Sequence, residues 1–278
     1  MANIHLKNWR VTMLAVSFFM SAPLAAETIK VGGTGGSLGT IRLLAEAFKK
    51  DNPKHEVVVV PGLGSGGGRK ALMGGALDLT ISSRPGKGME KIDGATARLF
   101  GRTPFVFAVS PKNSMDNLSI QEIIDIYAGK KVTWASGERL RLILRPLTDS
   151  DSEMLFGIGA DMEQALKAAH KRDGMSIGIT DEESANLIET TPGAIGSSTT
   201  VLIQSERRKL KALSVKGIAP SAKTIADGSY PWFKGFFVVN KPDVSPAARA
   251  FADFVVSPRA QPIIAKVGYW LPEAGESR

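Results

Sequence analysis

Two glycine-rich stretches carry the residue types best suited to holding an anion. "GGTGGSLGT" (32–40) and "GLGSGGGRK" (62–70) each combine bare backbone with Ser or Thr hydroxyls. Where such a stretch opens a helix, the first-turn N–H groups are unpaired and the macrodipole places partial positive charge on them. Glycine lets a ligand approach that backbone closely, so the pair reads as an oxyanion cradle. Tight turn geometry is the plain alternative for either stretch alone. Two of them in consecutive βα units fall on the same edge of a parallel sheet, where open α/β sheets bind ligands.

Three other chemistries use similar residues. The dinucleotide pattern G-x-G-x-x-G does not close, because from Gly33 and Gly35 its last position is Leu38. The Walker pattern fails on spacing, since Gly68 is followed at once by Arg69 and Lys70. Gly35-Gly36-Ser37-Leu38-Gly39 does fit G-x-S-x-G, the nucleophile elbow of serine hydrolases, and keeps a secreted hydrolase through Ser37 as an alternative. That reading needs a histidine. Beyond residue 26 there are His55, in a helix-to-strand turn, and His170, at the end of a lysine-rich helix where a cation suits the dipole. No His/Cys/Asp cluster has metal-ligand spacing, no carboxylate pair reads as acid and base, and no cofactor is implied.

The elements that must position these loops follow from periodicity. "TIKVGG" (28–33) reads as a strand and Ile41 to Lys50 as a helix; "HEVVVVPG" is a continuous apolar run typical of a buried parallel strand. A helix from about Arg69 to Gly75 and a strand at 77–83 complete a doubly wound α/β start. Further on, 103–111 and 141–146 read as strands, "LTDSDSEM" as a polar turn, and 161–171 as a helix. "SIQEIIDIYAGK" is a helix opening on a capping box, Ser119 with Glu122. "GAIGSSTTVLI" reads as a glycine-containing strand, and "SPAARAFADFVVS" and "RAQPIIAKVGY" as two closing helices. There is no internal repeat and no Pro/Gly linker, so any two domains are crossed by ordered strands.

The first 26 residues set the compartment. Lys7 and Arg10 precede the apolar run "VTMLAVSFFM", and "SAPLAAET" supplies small residues where a signal peptidase cuts, after Ala26 or Ala25. Ten apolar residues are too few for a span of about 20, so the segment reads as a cleaved signal peptide and the product as periplasmic. There is no cysteine, which excludes disulfides and a lipid-modified cleavage site. The leader takes two of the 35 basic residues and none of the 27 acids, leaving a surplus of six positive charges. That suits an anionic ligand. Scattered basic residues without interleaved aromatics argue against nucleic acid.

Taken in order and spacing, "PGLGSGGGRKAL", "ALDLTISSRP", "IQEIIDIYAGKKVTW", "RLILRPLTDSDS", "TPGAIGS", "DGSYPWFKGFFVV" and the closing "GYWLP" resemble the PstS-type phosphate-binding proteins, periplasmic substrate receptors of ABC phosphate importers. The resemblance runs from about residue 28 to 272. It implies a two-lobed periplasmic-binding-protein fold of type II, each lobe a mixed, mostly parallel sheet flanked by helices, with the ligand in the cleft between them. Lobe one would take residues 27–107 and 230–278, and lobe two 108–229. The implied ligand is inorganic phosphate or a related oxyanion. The implied partner is a membrane permease, for a chain that works as a monomer without catalysis; the same scaffold used as a sensor or for another oxyanion is the alternative.

By the same resemblance, Ser65 matches the family's ligand serine, Gly66 and Gly67 offer N–H groups, and the first loop contributes through Thr34, Gly36 or Ser37. Ser83 stands where phosphate binders often have Asp. Arg145 resembles the arginine before the family's S-G-T loop, whose match is Ser150, Asp151 and Ser152. Arg69 and Arg84 add charge or cover the rim. The departures leave two outcomes open: Asp149 or Asp151 becomes the acceptor for a ligand proton, or the ligand differs. A bare carboxylate facing a fully ionised anion is costly unless one of them is protonated.

Overall fold

The structure, a computed structural model, describes residues 26–84 and 94–271, so the expected leader lies outside the described residues up to position 25. β1 (Thr28–Gly33) leads through a 3-10 turn at Gly35–Ser37 into α1 (Leu38–Asp51). Leu38, Ile41, Leu44 and Phe48 form the buried stripe of that helix. β2 (Glu56–Val59), α2 (Gly64–Met73) and β3 (Leu79–Ser82) follow, with β2 and β3 paired in parallel on either side of β1.

Two local readings are corrected here. β2 is parallel but not buried: it is an edge strand whose residues alternate between exposed and half-buried, with Val58 37 % exposed. A run of valines therefore reflects strand propensity, not two covered faces. α2 begins at Gly64, not near Arg69, so the glycines lie inside the helix. Glycine disfavours a helix by about 1 kcal/mol per residue, and tertiary contact overrides that cost. A Cβ on Gly68 would sit 2.6 Å from the Gly33 Cα and would overlap the Thr80 hydroxyl. The bare helix face is what lets α2 lie directly on the sheet.

β4 (Thr96–Val109) is longer than the pattern indicates, because it serves two neighbours in succession. After it come β5 (Asn117–Leu118), α3 (Ile120–Ala128), β6 (Arg141–Leu144), α4 (Ser150–Phe156), α5 (Ala160–Ala169), β7 (Ser176–Ile177) and α6 (Asp181–Thr190). The capping box at Ser119 and Glu122 forms as expected. "LTDSDSEM" is not all turn: the Asp149 carboxylate accepts from the Asp151 N–H and starts α4. β8 (Ala194–Thr199), α7 (Thr200–Ser205), β9 (Lys211–Ala212), β10 (Ser214–Val215), α8 (Ala222–Ala226), β11 (Phe233–Asn240), α9 (Pro246–Val255) and α10 (Gln261–Lys266) complete the chain.

Among the described residues the main sheet has nine strands, ordered β2-β1-β3-β11-β4-β8-β6-β7, with β9 also on β4. β4 runs antiparallel to β11 from Thr96 to Pro104 and then to β8 from Phe105 to Val109. Two cores result. One is built around Ile29, Leu38, Ile81, Phe236 and Phe251, and takes its buried residues from Ile29–Phe100 and Phe236–Tyr269 plus Val201. The other, around Phe107, Ile126, Leu144 and Leu166, takes them from between Phe105 and Tyr230. The shared strands β4 and β11 hold the two cores side by side. No helix among the described residues is long and apolar enough to cross a membrane.

Gly68→Ala is expected to lower stability by about 1–3 kcal/mol through overpacking. Gly66→Ala meets nothing within 4 Å, so it should leave stability unchanged or raise it by up to about 1 kcal/mol. Equilibrium urea unfolding of the two variants distinguishes these outcomes.

Candidate functional site

The two glycine loops meet the junction of the cores differently. In the first loop the Thr34 hydroxyl donates to Asp181 Oδ2 at 3.1 Å, and the Gly36 carbonyl accepts from the Thr199 hydroxyl at 3.3 Å. Ser37 is fully buried, and its hydroxyl pairs with the Tyr269 phenol at 2.7 Å. Tyr269 also reaches Thr40, and burial pushes its phenol far above the ordinary range. The elbow reading of Gly35–Gly39 therefore fails: Ser37 faces a tyrosine in the core, with no imidazole as partner and no access for a substrate.

The second loop faces open space. Ser65 Oγ lies 3.1 Å from Ser83 Oγ and accepts from the Ser83 N–H at 3.2 Å. A cavity of about 540 Å³ opens beside them, lined by Ser65, Gly66, Arg69, Arg84, Thr148 and Glu153, among others. A Cβ at Gly66 would touch nothing, whereas one at Gly67 would meet Leu63, so Gly66 is the barer of the two. Across the cavity the first turn of α4 faces α2. Arg84 spans the gap, donating to Glu153 Oε1 at 2.8 Å and to the Thr148 carbonyl at 3.1 Å.

The remaining expected residues form a buried charge cluster behind that cavity. Arg145 donates to the Gly178 carbonyl at 2.8 Å, and its Nη2 lies 3.1 Å from Asp149 Oδ2 and 3.7 Å from Asp181 Oδ1. Its Nε is 3.9 Å from Asp151 Oδ2. Lys234 pairs with Asp151 and donates to Ser150 Oγ at 2.9 Å, while Ser197 donates to Asp151 Oδ2 at 2.6 Å. The Ser152 hydroxyl is spent on the Pro146 carbonyl at 2.9 Å and the Arg145 carbonyl at 3.3 Å.

The cluster thus holds two cations and three carboxylates, all at least nine-tenths buried or nearly so. Burial works against the charged form of Asp151, but the Lys234 and Arg145 charges and the bonds from Lys234 and Ser197 hold its carboxyl below the usual range. Burial pushes the Asp149 carboxyl up, and the Asp151 and Asp181 charges push the same way. Burial also opposes the Arg145 charge, yet Asp181, Asp151 and Asp149 keep its proton on. No group of three or more His, Asp or Glu among the described residues is placed to hold a metal ion.

The structure therefore brings Ser65 and Gly66 to an open cavity with Arg69, Arg84 and Glu153, Ser83 being bonded to Ser65, and gathers Arg145, Ser150 and Asp151 in a buried network in which Arg145 Nε and Nη2 have ionic neighbours but no hydrogen-bond partner. Thr34 joins that network through Asp181. Lys234, Asp181 and Glu182 are additional to the sequence reading. The readable signal was Lys234, a lone cation on the buried face that Phe236 and Val238 share in β11. Glu182 has both carboxylate oxygens buried without a hydrogen-bond partner, and burial pushes its carboxyl up.

Two α/β cores joined by shared strands, with a polar cavity at their junction, define a two-lobed binding-protein fold. The chain belongs to the PBP superfamily domain family, whose sequence model matches residues 21–259. It is 28 % identical over 257 residues to the phosphate-binding protein PstS of Bacillus subtilis (strain 168), covering 88 % of this chain and 81 % of that one. Its fold is similar to that of a Clostridium perfringens protein whose crystal structure contains bound phosphate, with a TM-score of 0.74 and 21 % identity over 88 % of this chain and all of that one. The Azotobacter vinelandii periplasmic molybdate-binding protein is also similar, with a TM-score of 0.63 and 18 % identity over 88 % of this chain and all of that one.

Lys234→Met would leave Asp151 buried without its nearest cation. Breaking a buried pair in this way is expected to cost about 3–5 kcal/mol. Urea unfolding checks it, and a loss below about 1 kcal/mol, the size typical of exposed pairs, would show that the ammonium is solvated.

Proposed function

We propose that this chain captures phosphate, or a tetrahedral oxyanion like it, between two lobes and delivers it to the membrane permease of an ABC transporter. The observation that carries the reading is the Ser65–Ser83 hydroxyl pair at the start of α2, with open space over Gly66 and two arginines on the same cavity. α2 is ten residues long, and its N-terminal N–H groups and dipole favour negative charge. The similarity to a phosphate-binding PstS protein supports the same ligand class.

In this reading residues 27–107 and 230–278 form one lobe and 108–229 the other; the two cores support a division of this kind, although Phe105, Phe107 and Tyr230 pack in the second core. Ser65, Gly66, Gly67 and Ser83 contact the anion from the first lobe, with Arg84 and Arg69 neutralising it. Thr34 and Gly36 of the first loop complete the anion's contacts from that lobe, while Ser37 supports the loop from behind through Tyr269. Arg145, Ser150, Asp151 and Ser152 fix the start of α4 on the other side. The protein is exported to the periplasm, acts as a monomer, and needs no cofactor.

Isothermal calorimetry on protein stripped of ligand by unfolding and refolding tests this. Phosphate is expected to bind, and Ser65→Ala should weaken it about tenfold or more, the loss expected for a hydrogen bond to a charged group. Titrations with sulfate, arsenate and molybdate define the anion. No heat with any of the four would overturn the reading.

A further inference from the structure

The space between the two glycine loops is filled by a side chain from α6, a helix outside the first core. Glu182 stands in the first turn of α6, and its carboxylate lies against Gly35 of the first loop and Gly62 of the second. A Cβ at either glycine would overlap it, so both loops have room for this group only because they are bare there. Neither Oε1 nor Oε2 has a hydrogen-bond partner, and both are buried. A carboxylate so placed has lost its water, and neither its own backbone N–H nor the Arg42 charge makes up for that loss.

Its charged surroundings do not compensate. Asp181 on α6 and Glu206 beyond α7 face it with like charge, and Arg42 of α1 is engaged with Glu206 at 3.0 Å. The glycine loops bring no ionisable side chain to the contact. Burial first, and then the Asp181 and Glu206 charges, push the Glu182 carboxyl above its ordinary range.

We infer that Glu182 is an internal competitor for the anion: its carboxylate occupies the space that both glycine loops turn toward the junction, and an oxyanion contacts both loops only by ejecting it. This rests on the oxyanion reading above. It makes Glu182 a determinant of affinity. The contact is strongest when the acid is neutral, because the engaged form has the raised pKa; it weakens as pH rises through that value, when the ionised group gains by returning to water. Competition therefore fades as pH rises.

The test is calorimetric titration of inorganic phosphate into the wild type, Glu182→Ala and Glu182→Gln at about pH 5 and pH 8, with thermal melts to establish that each is folded. Glu182→Ala should bind roughly tenfold or more tightly than the wild type at the lower pH, and the gain should shrink at the higher. Glu182→Gln keeps a neutral group in place at both values, so its affinity relative to the wild type should fall from the lower pH to the higher. Phosphate binding by the wild type that neither variant alters overturns the inference and leaves the oxyanion reading standing. Silence of all three proteins toward phosphate, arsenate, sulfate and molybdate overturns both. Binding by Glu182→Ala with a silent wild type supports both. Should Glu182→Ala fail to fold, the Glu182→Gln comparison decides: equal affinities at both pH values overturn the inference.

Discussion

The ammonium of Lys234 reaching Asp151 is the contact on which the rest of the site depends. Lys234 comes from β11, a strand of the first core's sheet, and ends at the start of α4 in the second core. Buried charges are tolerated only when paired and hydrogen-bonded, so this contact fixes where α4 begins relative to the sheet. Arg145 is then held among Asp149, Asp151 and Asp181, and Asp181 is tied to Thr34 in the first loop. The cavity beside Ser65 owes its far wall to this arrangement.

The glycines serve close approach more than flexibility. Gly68 brings α2 onto β1, and Gly35 and Gly62 admit the Glu182 carboxylate. One composition thus does two physically distinct jobs: it packs a helix on a strand, and it clears a concave surface at the sheet edge. Only Gly66 opens onto space with no neighbouring atom at the cavity.

Much of the architecture was legible because it is written locally. The first strand, the α1 stripe and the Ser119–Glu122 box are set by residues within a few positions of one another. α2 was misplaced because glycine propensity argues against a helix that only the contact with Gly33 explains. α6 gave little pattern, since its buried face is Asp181, Ser184, Ala185 and Ile188 and not a broad apolar stripe. Within the site, Ser65 was readable as a hydroxyl of the glycine loop, whereas Ser83 was reached only through the family resemblance. The partners of Arg145 and Asp151 were less readable: Asp149 is four residues from Arg145, but Asp181, which meets Arg145, and Lys234, which meets Asp151, come from a distant helix and strand. Which acid meets which base is decided by strand order, and one sequence does not spell that out.

The interrupted course of the first core also orders assembly in time. Its buried residues stop at Phe100 and resume, apart from Val201, only at Phe236, whereas the second core is complete by Tyr230. A chain delivered from its N-terminus can close the second core while the first still lacks β11, α9 and α10. Until those arrive, β3 and β4 lack the strand that lies between them, and each offers an unpaired edge. The segment from Phe233 onward therefore acts as a keystone, and a nascent chain halted before it would be open to strand-mediated aggregation.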